Sequence, residues 1–262
     1  LHDALPILRK IIFCLFTALF LFILWGNPIT VFASEGVQTL KIINSTNNME
    51  VTEANLMLDN ISEFTPEVVA EIEKYSDIEI QKLDDTYAQV TITNKIPEKI
   101  NYYEDGTKEE FFTKTAFFGP LNTLPYPDNR DISPMDIYVE VRIKAALSAY
   151  EVGPAEVTHY RLISGSGGLL KCWENGYRNL VIKPTVMGGY ENPDGSRGST
   201  GWLYYTKTIA KPSLGTIYTS TTNNPNYYSS AGGSMVKVDV SIEWRHGENW
   251  ENKSEFCLKI CE

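Results

Sequence analysis

Positive charge is scarce in this chain, which holds 23 Lys and Arg residues against 33 Asp and Glu residues and carries a formal net charge of −10 at pH 7. Nucleic acids and anionic membranes are bound through basic surfaces, so this balance argues against both partners. The excess is uneven: residues 34–134 contain 19 acidic and 8 basic residues, whereas residues 135–262 contain 13 of each. With the Pro-rich stretch at 119–134, this shift predicts a boundary between two domains. A single domain with one acidic face is the alternative.

Long apolar runs are missing except for one near the N-terminus. Residues 11–25 carry no charge, follow Arg9 and Lys10, and precede a Gly-Asn-Pro breaker and a Val-Phe-Ala sequence at 31–33. A membrane-spanning helix needs about 20 apolar residues, and these flanking features are typical of a secretory signal peptide. We therefore predict that residues 1–33 form a signal helix removed on export, with residues 1–7 as non-native sequence. The alternative is an uncleaved segment, which would be the protein's contact with a membrane.

Cysteine is rare as well, with four residues in the chain, of which Cys14 lies in the predicted signal. Export makes disulfides feasible for Cys172, Cys257 and Cys261. Cys257 and Cys261 lie four residues apart in a predicted strand, about 13 Å, which is too far for a mutual bond. We expect Cys172 to pair with one of them. The sparing use of cysteine and the acidic composition favour a secreted protein of a Gram-positive-like envelope.

Motifs for catalysis are lacking. The Ser-Gly-Ser-Gly-Gly sequence at 164–168 is not a Gly-x-Ser-x-Gly nucleophile elbow, and no His-x-x-x-His or Cys-x-x-Cys motif occurs. The sequence predicts no metal site and no cofactor. Glycosidases need two carboxylates that face one cleft, and the residues available for this are Glu140, Glu156, Glu174 and Glu243. Glu140 and Glu243 lie in predicted strands that also carry basic residues, which favours cross-strand ion pairs.

Strand alternation is what the sequence has in abundance. Apolar and polar residues alternate over 137–147 and again over 236–245, and shorter runs follow the same period. About seven strands separated by Gly, Pro and Asn are typical of a sandwich or a small barrel, and we predict an antiparallel β-sandwich for residues 135–262. In such a sheet each strand buries one face and leaves the other in water.

The acidic section, residues 34–134, predicts a small α+β unit. Its polar start at 34–48 indicates poor order. A Thr-Pro-Glu sequence at 65–67 predicts a helix start, with the helix ending near residues 75–77. An Asp-Gly pair at 105–106 predicts a two-residue type I′ hairpin, which would set Ile100 opposite Phe111.

A glycine-rich stretch and several aromatic residues form the candidate binding site. Residues 188–201 contain five glycines and indicate either a binding loop or a long hairpin connection. Tyr and Trp rings on a sheet can stack on sugars, although such rings are also ordinary strand residues. The predicted ligand-binding residues are Trp173, Tyr190, Trp202 and Tyr204.

Together these features predict an exported, non-catalytic binding or interaction protein, extracellular or associated with the cell wall. Its expected partner is a cell-wall glycan or another extracellular protein. The alternative is a secreted polysaccharide hydrolase with two facing carboxylates. A third hypothesis makes residues 34–134 a pro-segment or intramolecular partner of residues 135–262.

Overall fold

The computed structural model describes residues 40–61, 64–83, 87–120, 139–152, 157–172, 176–246 and 249–261, so the predicted signal helix lies outside it. Within these residues the fold is mainly β, with fourteen strands and two short helices. The helices are α1 (Met49–Asp59) and α2 (Pro66–Ile72). The strands are β1 (Ile42–Asn47), β2 (Ser76–Lys82), β3 (Tyr87–Asn94), β4 (Lys99–Tyr103), β5 (Lys108–Pro120), β6 (Val139–Val152), β7 (Val157–Cys172), β8 (Tyr177–Glu191), β9 (Arg197–Tyr204), β10 (Lys207–Ile209), β11 (Tyr218–Thr221), β12 (Tyr228–Ser229), β13 (Met235–His246) and β14 (Asn249–Cys261).

All strands belong to one antiparallel network, with the order β1-β4-β5-β6-β7-β12-β8-β13-β14. Strand β3 joins β5 and carries β2, while β9 and β10 pair with β8, and β11 pairs with β7. The boundary predicted between residues 134 and 135 falls outside the described residues. On either side of it, β5 and β6 pair over ten residues. The acidic and neutral sections therefore share one sheet and one compact unit.

The central core follows the alternation in β6 and β13. The apolar face predicted in β6 is buried from Val139 to Leu147, and Val236, Val238, Val240 and Ile242 of β13 are buried in the same cluster. Strand β7 approaches β13 very closely, because a Cβ on Gly167 would lie 2.5 Å from Cγ2 of Val240. No described ladder joins β7 to β13. Side chains of β13 therefore pack directly against the backbone of β7.

The opposite face of β6, predicted to be in water, is buried instead. Arg142 is only 1 % exposed and Glu140 6 %. The helices cover this face through a second cluster that includes Leu58, Ile72 and Phe117. The prediction fails because period-2 alternation identifies the two faces of a strand but not what covers the polar one.

Cationic side chains of β6 hold the end of α1 on the sheet. Arg142 donates through Nη1 to the Leu58 carbonyl, and its guanidinium carbon lies 5.8 Å from the Phe117 ring centroid. Lys144 Nζ lies 3.0 Å from Asp59 Oδ1. The last carbonyls of a helix have no partner within the helix and attract cations, which explains a buried arginine at this position.

The start of α2 follows the predicted chemistry, but two expectations for this section were wrong. Thr65 caps α2 by accepting from the Val68 N–H, with Pro66 in the first turn, yet α2 ends at Ile72 because Ser76 already pairs with Asn94 in the sheet. Residues 42–47, expected to be poorly ordered, form β1 on the open edge of β4. No helix of the described chain is long and apolar enough to cross a membrane.

Candidate functional site

The structure brings together two of the four predicted binding residues. Trp202 and Tyr204 of β9 stack with ring centroids 6.1 Å apart and planes within 8° of parallel. They are 45 % and 51 % exposed. Tyr190 lies apart from them, half-buried against Tyr228 at the central core. Trp173 lies outside the described residues.

Two lysines flank the stacked pair. Lys183 Nζ lies 4.2 Å from the Tyr204 ring centroid, and Lys237 Nζ lies 6.0 Å from the Trp202 ring centroid. Burial disfavours the charged form of Lys237, but the hydrogen bond to Asp239 and the attraction of its charge together outweigh this and raise the pKa of the ammonium group. We name Trp202, Tyr204, Lys183 and Lys237 the β9 aromatic surface. It places two cations beside exposed rings in a chain that is acidic overall.

The stretch at 188–201 is mostly strand, which agrees with the hairpin interpretation. Strand β8 continues to Glu191 and β9 begins at Arg197, so the connection is only residues 192–196. Asn192 N–H donates to the Ser196 carbonyl at 2.9 Å, and Gly195 supplies the positive φ of the turn. Gly198 has a different role, because a Cβ there would lie 2.5 Å from Cζ of Tyr190. Its small size lets the Tyr190 ring pack across the hairpin.

The structure joins none of Cys172, Cys257 and Cys261 by a disulfide. Cys261 is opposite Val236 on β13. It also lies close enough to Tyr160 to raise the pKa of the Tyr160 phenol. Cys172 is twelve residues beyond Tyr160 along β7, a path of about 40 Å. The predicted bridge is therefore not a feature of this structure. Burial raises the pKa of Cys257 to about 12 and that of Cys261 to about 11.

A second candidate site, missed by the sequence analysis, is a cleft of about 510 Å³ on the sheet face of β4 to β7. We name it the β5–β6 cleft. Its lining includes Tyr102, Lys108, Glu110, Ala149, Glu151 and Tyr160. Ala149 lies opposite Glu110 on one side and Tyr160 on the other. The concavity follows from a small side chain between two large ones.

The β4–β5 hairpin decides which residues line this cleft. The observed register sets Ile100 opposite Glu110, so the predicted pairing of Ile100 with Phe111 was wrong by one residue. Gly106 has a φ of +85°, whereas Asp105 has no positive φ. A type I′ turn needs positive φ at both positions, and a three-residue loop closed by Tyr103 N–H and the Thr107 carbonyl forms instead. Since a one-residue shift exchanges the faces of a strand, Glu110 rather than Glu109 reaches the cleft.

Glu109 lies on the reverse face of β5, where it is 1 % exposed. It accepts hydrogen bonds from Tyr103 Oη at 2.7 Å, from Arg161 Nη2 at 2.6 Å and from Tyr227 Oη. Burial acts to raise the pKa of the carboxyl group, but donors that include Ser148 and Tyr227, together with Arg161, outweigh it and lower the pKa. The carboxylate thus ties three strands and the segment before β12 together directly behind the cleft.

Two of the four carboxylates considered from sequence, Glu140 and Glu243, make cross-strand ion pairs, as predicted. Glu140 lies opposite Lys171, with Nζ 3.6 Å from Oε2. Glu243 lies opposite Arg178, with Nε 2.8 Å from Oε2. Glu156 and Glu174 lie outside the described residues. Of the described residues, neither Glu140 nor Glu243 lines the β5–β6 cleft.

Comparisons of the chain with protein-family models, with curated proteins and with solved structures found no match. The functional argument therefore depends on the two sites themselves.

Proposed function

We propose that this protein is an exported, non-catalytic binding module, built as a β-sandwich, whose β9 aromatic surface contacts a cell-wall glycan. The observation that carries the proposal is the exposed parallel pair of Trp202 and Tyr204. Aromatic faces provide apolar area for the C–H groups of a sugar. The neighbouring lysine ammonium groups can donate to sugar oxygens.

Exposure of this pair supports recognition over a purely structural role. Leu203 lies between them in sequence but points to the opposite face of β9, so the exposed apolar area on this face is that of Trp202 and Tyr204. Exposed apolar area of this kind is typical of an interaction surface. The sandwich arrangement is supported by the side-chain contact of β7 with β13 across the central core.

The experiment is a pull-down with insoluble Gram-positive cell walls. Trp202→Ala with Tyr204→Ala is expected to weaken binding at least about tenfold, a loss of about 1.4 kcal/mol. Leu214→Ala is the matched control, because Leu214 is 45 % exposed but lies outside β9. Wall binding by the double variant at the wild-type level, with an unchanged melting temperature, would refute the proposal.

Export has its own test. When the full chain is expressed in a Gram-positive host, the protein is expected in the culture fluid or wall fraction with an N-terminus at Ser34. Recovery only from the cytosol, with residues 11–25 intact, would contradict this part of the proposal.

A hydrolase is the second candidate function, because the β5–β6 cleft holds two carboxylates. Glu110 lies opposite Ala149, and Glu151 is two residues farther along β6. Such diagonal neighbours lie about 7–8 Å apart, which is compatible with the carboxylate separations of glycosidases. Release of reducing ends from a polysaccharide by the wild type, and its loss in Glu110→Gln or Glu151→Gln, would favour this function. If the wild-type protein releases no reducing ends from a polysaccharide, the hydrolase function is eliminated.

A further inference from the structure

We propose that the β5–β6 cleft is a second binding site, which holds one or two rings of a neutral saccharide chain. A volume of about 510 Å³ is within the usual range for small-molecule pockets. The inference is independent of the β9 aromatic surface, since the cleft is on different strands. It concerns binding, and it holds whether or not hydrolysis follows.

The cleft is part of the folded framework and does not need a ligand to form. Its floor is Ala149, held between neighbours on β5 and β7 by regular strand pairing. Behind it, the Glu109 carboxylate and its donors Tyr103 and Arg161 lock β4, β5 and β7 in place. A site supported in this way avoids the cost of ordering loops when it binds.

The spacing of the aromatic walls disfavours a quaternary ammonium ligand. Tyr102 is on β4 and Tyr160 on β7, three strand spacings apart, which is about 14 Å. An aromatic cage needs several ring centroids within about 6 Å of one cation. Two walls this far apart instead leave room for a sugar ring whose C–H face packs on one tyrosine while the ligand extends across the floor.

The charges in the cleft disfavour both anionic and purely apolar ligands. The charged residues of the cleft lining are two carboxylates, Glu110 and Glu151, and one ammonium group, that of Lys108. The Lys108 ammonium group is 2.5 Å from Glu110 Oε1. An anion would meet net negative charge. An apolar ligand would remove water from these charged groups without replacing its hydrogen bonds, which is costly.

A neutral polyol satisfies all of these groups. Its hydroxyl groups donate to Glu110 and Glu151 and accept from Lys108, while its C–H face packs on Tyr102 or Tyr160. The phenol of Tyr160 is protonated at neutral pH, as a tyrosine ordinarily is, and burial raises its pKa further, so it can add a donor at the wall. The cleft thus offers apolar faces and hydrogen-bonding groups within one cavity, as saccharide recognition requires.

The test uses the mature chain, residues 34–262, titrated by calorimetry with N-acetylchitotriose and maltotriose as neutral probes. We expect at least one of them to bind with a Kd below about 1 mM, a binding free energy of about −4 kcal/mol. Ala149→Leu, which fills the floor, should weaken binding at least tenfold, and so should Tyr102→Ala. The double variant of Trp202 and Tyr204 should bind these probes like the wild type.

Choline chloride and glucose 6-phosphate serve as cationic and anionic probes. Stronger binding of either one than of both trisaccharides would overturn the inference, and so would the absence of trisaccharide binding. Unchanged affinity in both Ala149→Leu and Tyr102→Ala, at unchanged melting temperature, would also overturn it. If the double variant of Trp202 and Tyr204 loses wall binding but keeps trisaccharide binding, the β9 aromatic surface and the cleft are separate sites, because each assay reports on one of them.

Discussion

Glu109 and Glu110 are adjacent in sequence yet have opposite environments. Glu109 is buried among three donors on one face of β5, whereas Glu110 lines a cleft on the other face. Alternation along a strand produces this difference, because successive side chains point to opposite faces. Two carboxylates with similar intrinsic chemistry therefore have a structural and a candidate binding role.

Replacing Glu109 by Gln should destabilise the protein by about 2–3 kcal/mol at pH 7, because Arg161 and two tyrosines lose a charged acceptor. The folded-state pKa of Glu109 is lowered. Its contribution to the free energy of unfolding is therefore fully present above the unfolded pKa, at about pH 5 and higher, and is lost as pH falls through the folded pKa. Urea denaturation at a series of pH values should show that the difference in the free energy of unfolding between wild type and variant becomes smaller in acid.

Glu110→Gln is the matched control for this effect. Its ion pair with Lys108 is partly exposed, so its loss should change the free energy of unfolding by less than about 1 kcal/mol. Two outcomes would show that the buried carboxylate does not act as described. One is equal destabilisation by the two variants, and the other is a difference in the free energy of unfolding between wild type and Glu109→Gln that increases in acid.

The cysteines of β14 provide a second test at the residue scale. Because burial raises the pKa of Cys257 to about 12 and of Cys261 to about 11, almost no thiolate is present at pH 8, and the thiolate is the reactive form. Iodoacetamide should label both slowly in the folded protein and rapidly in urea, as read by mass spectrometry. Rapid labelling of either cysteine in the folded protein would contradict this assignment.

At the scale of elements, β7 owes its position to small residues. Gly165 and Gly167 lie against side chains of β8 and β13, where a Cβ would come within 3.0 Å of Pro184, Val238 or Val240. The Ser-Gly-Ser-Gly-Gly sequence is thus explained by close packing within the core. By sequence alone it could be compared only with a nucleophile elbow, which it does not match, because its packing partners are distant along the chain.

Gly167→Ala should lower the free energy of unfolding by about 1–3 kcal/mol, since the added methyl overpacks the core against Val240. Gly201→Ala is the control, because it also lies in a strand but has open space around its Cβ position and no positive φ. Its effect should stay within about 0.5 kcal/mol. Thermal and urea unfolding measure both. Similar stabilities for the two variants would argue against the contact between β7 and β13.

At the scale of the whole molecule, the acidic section is continuous with the rest. Ala116 and Phe118 of β5 are buried in the same central cluster as Val141 and Ile143 of β6. Phe118 also lies 5.2 Å from Phe256 of β14, measured between ring centroids. The first section therefore contributes core residues to the second.

A fragment of residues 135–262 should consequently fail to fold. Without β5 and the helices it exposes the open edge of β6, the β6 face that carries Arg142, and the part of the central core that Ala116 and Phe118 cover, so we expect aggregation or an unfolded circular dichroism spectrum. The mature chain of residues 34–262 should give a cooperative transition. A soluble fragment with a cooperative transition of its own would contradict this expectation and would favour the pro-segment hypothesis.

Local chemistry made several features predictable. The apolar face of β6, the Thr65 cap of α2 and the ion pair of Glu243 depend on residues close in sequence or on simple strand alternation. The hairpin register and the β5–β6 cleft were not predictable in this way. Ala149 is an unremarkable residue until strand pairing sets Glu110 and Tyr160 on either side of it.

The sequence by itself determined the mainly β character, the Thr65 cap and the alternation of faces, because these depend on backbone propensity and on neighbours a few residues away. Only the tertiary structure decided that helices cover the polar face of β6, that Glu109 is buried while Glu110 is accessible, and that Trp202 and Tyr204 stack between two lysines. Each of these depends on contacts between distant segments, and many different pairings are compatible with the same local pattern.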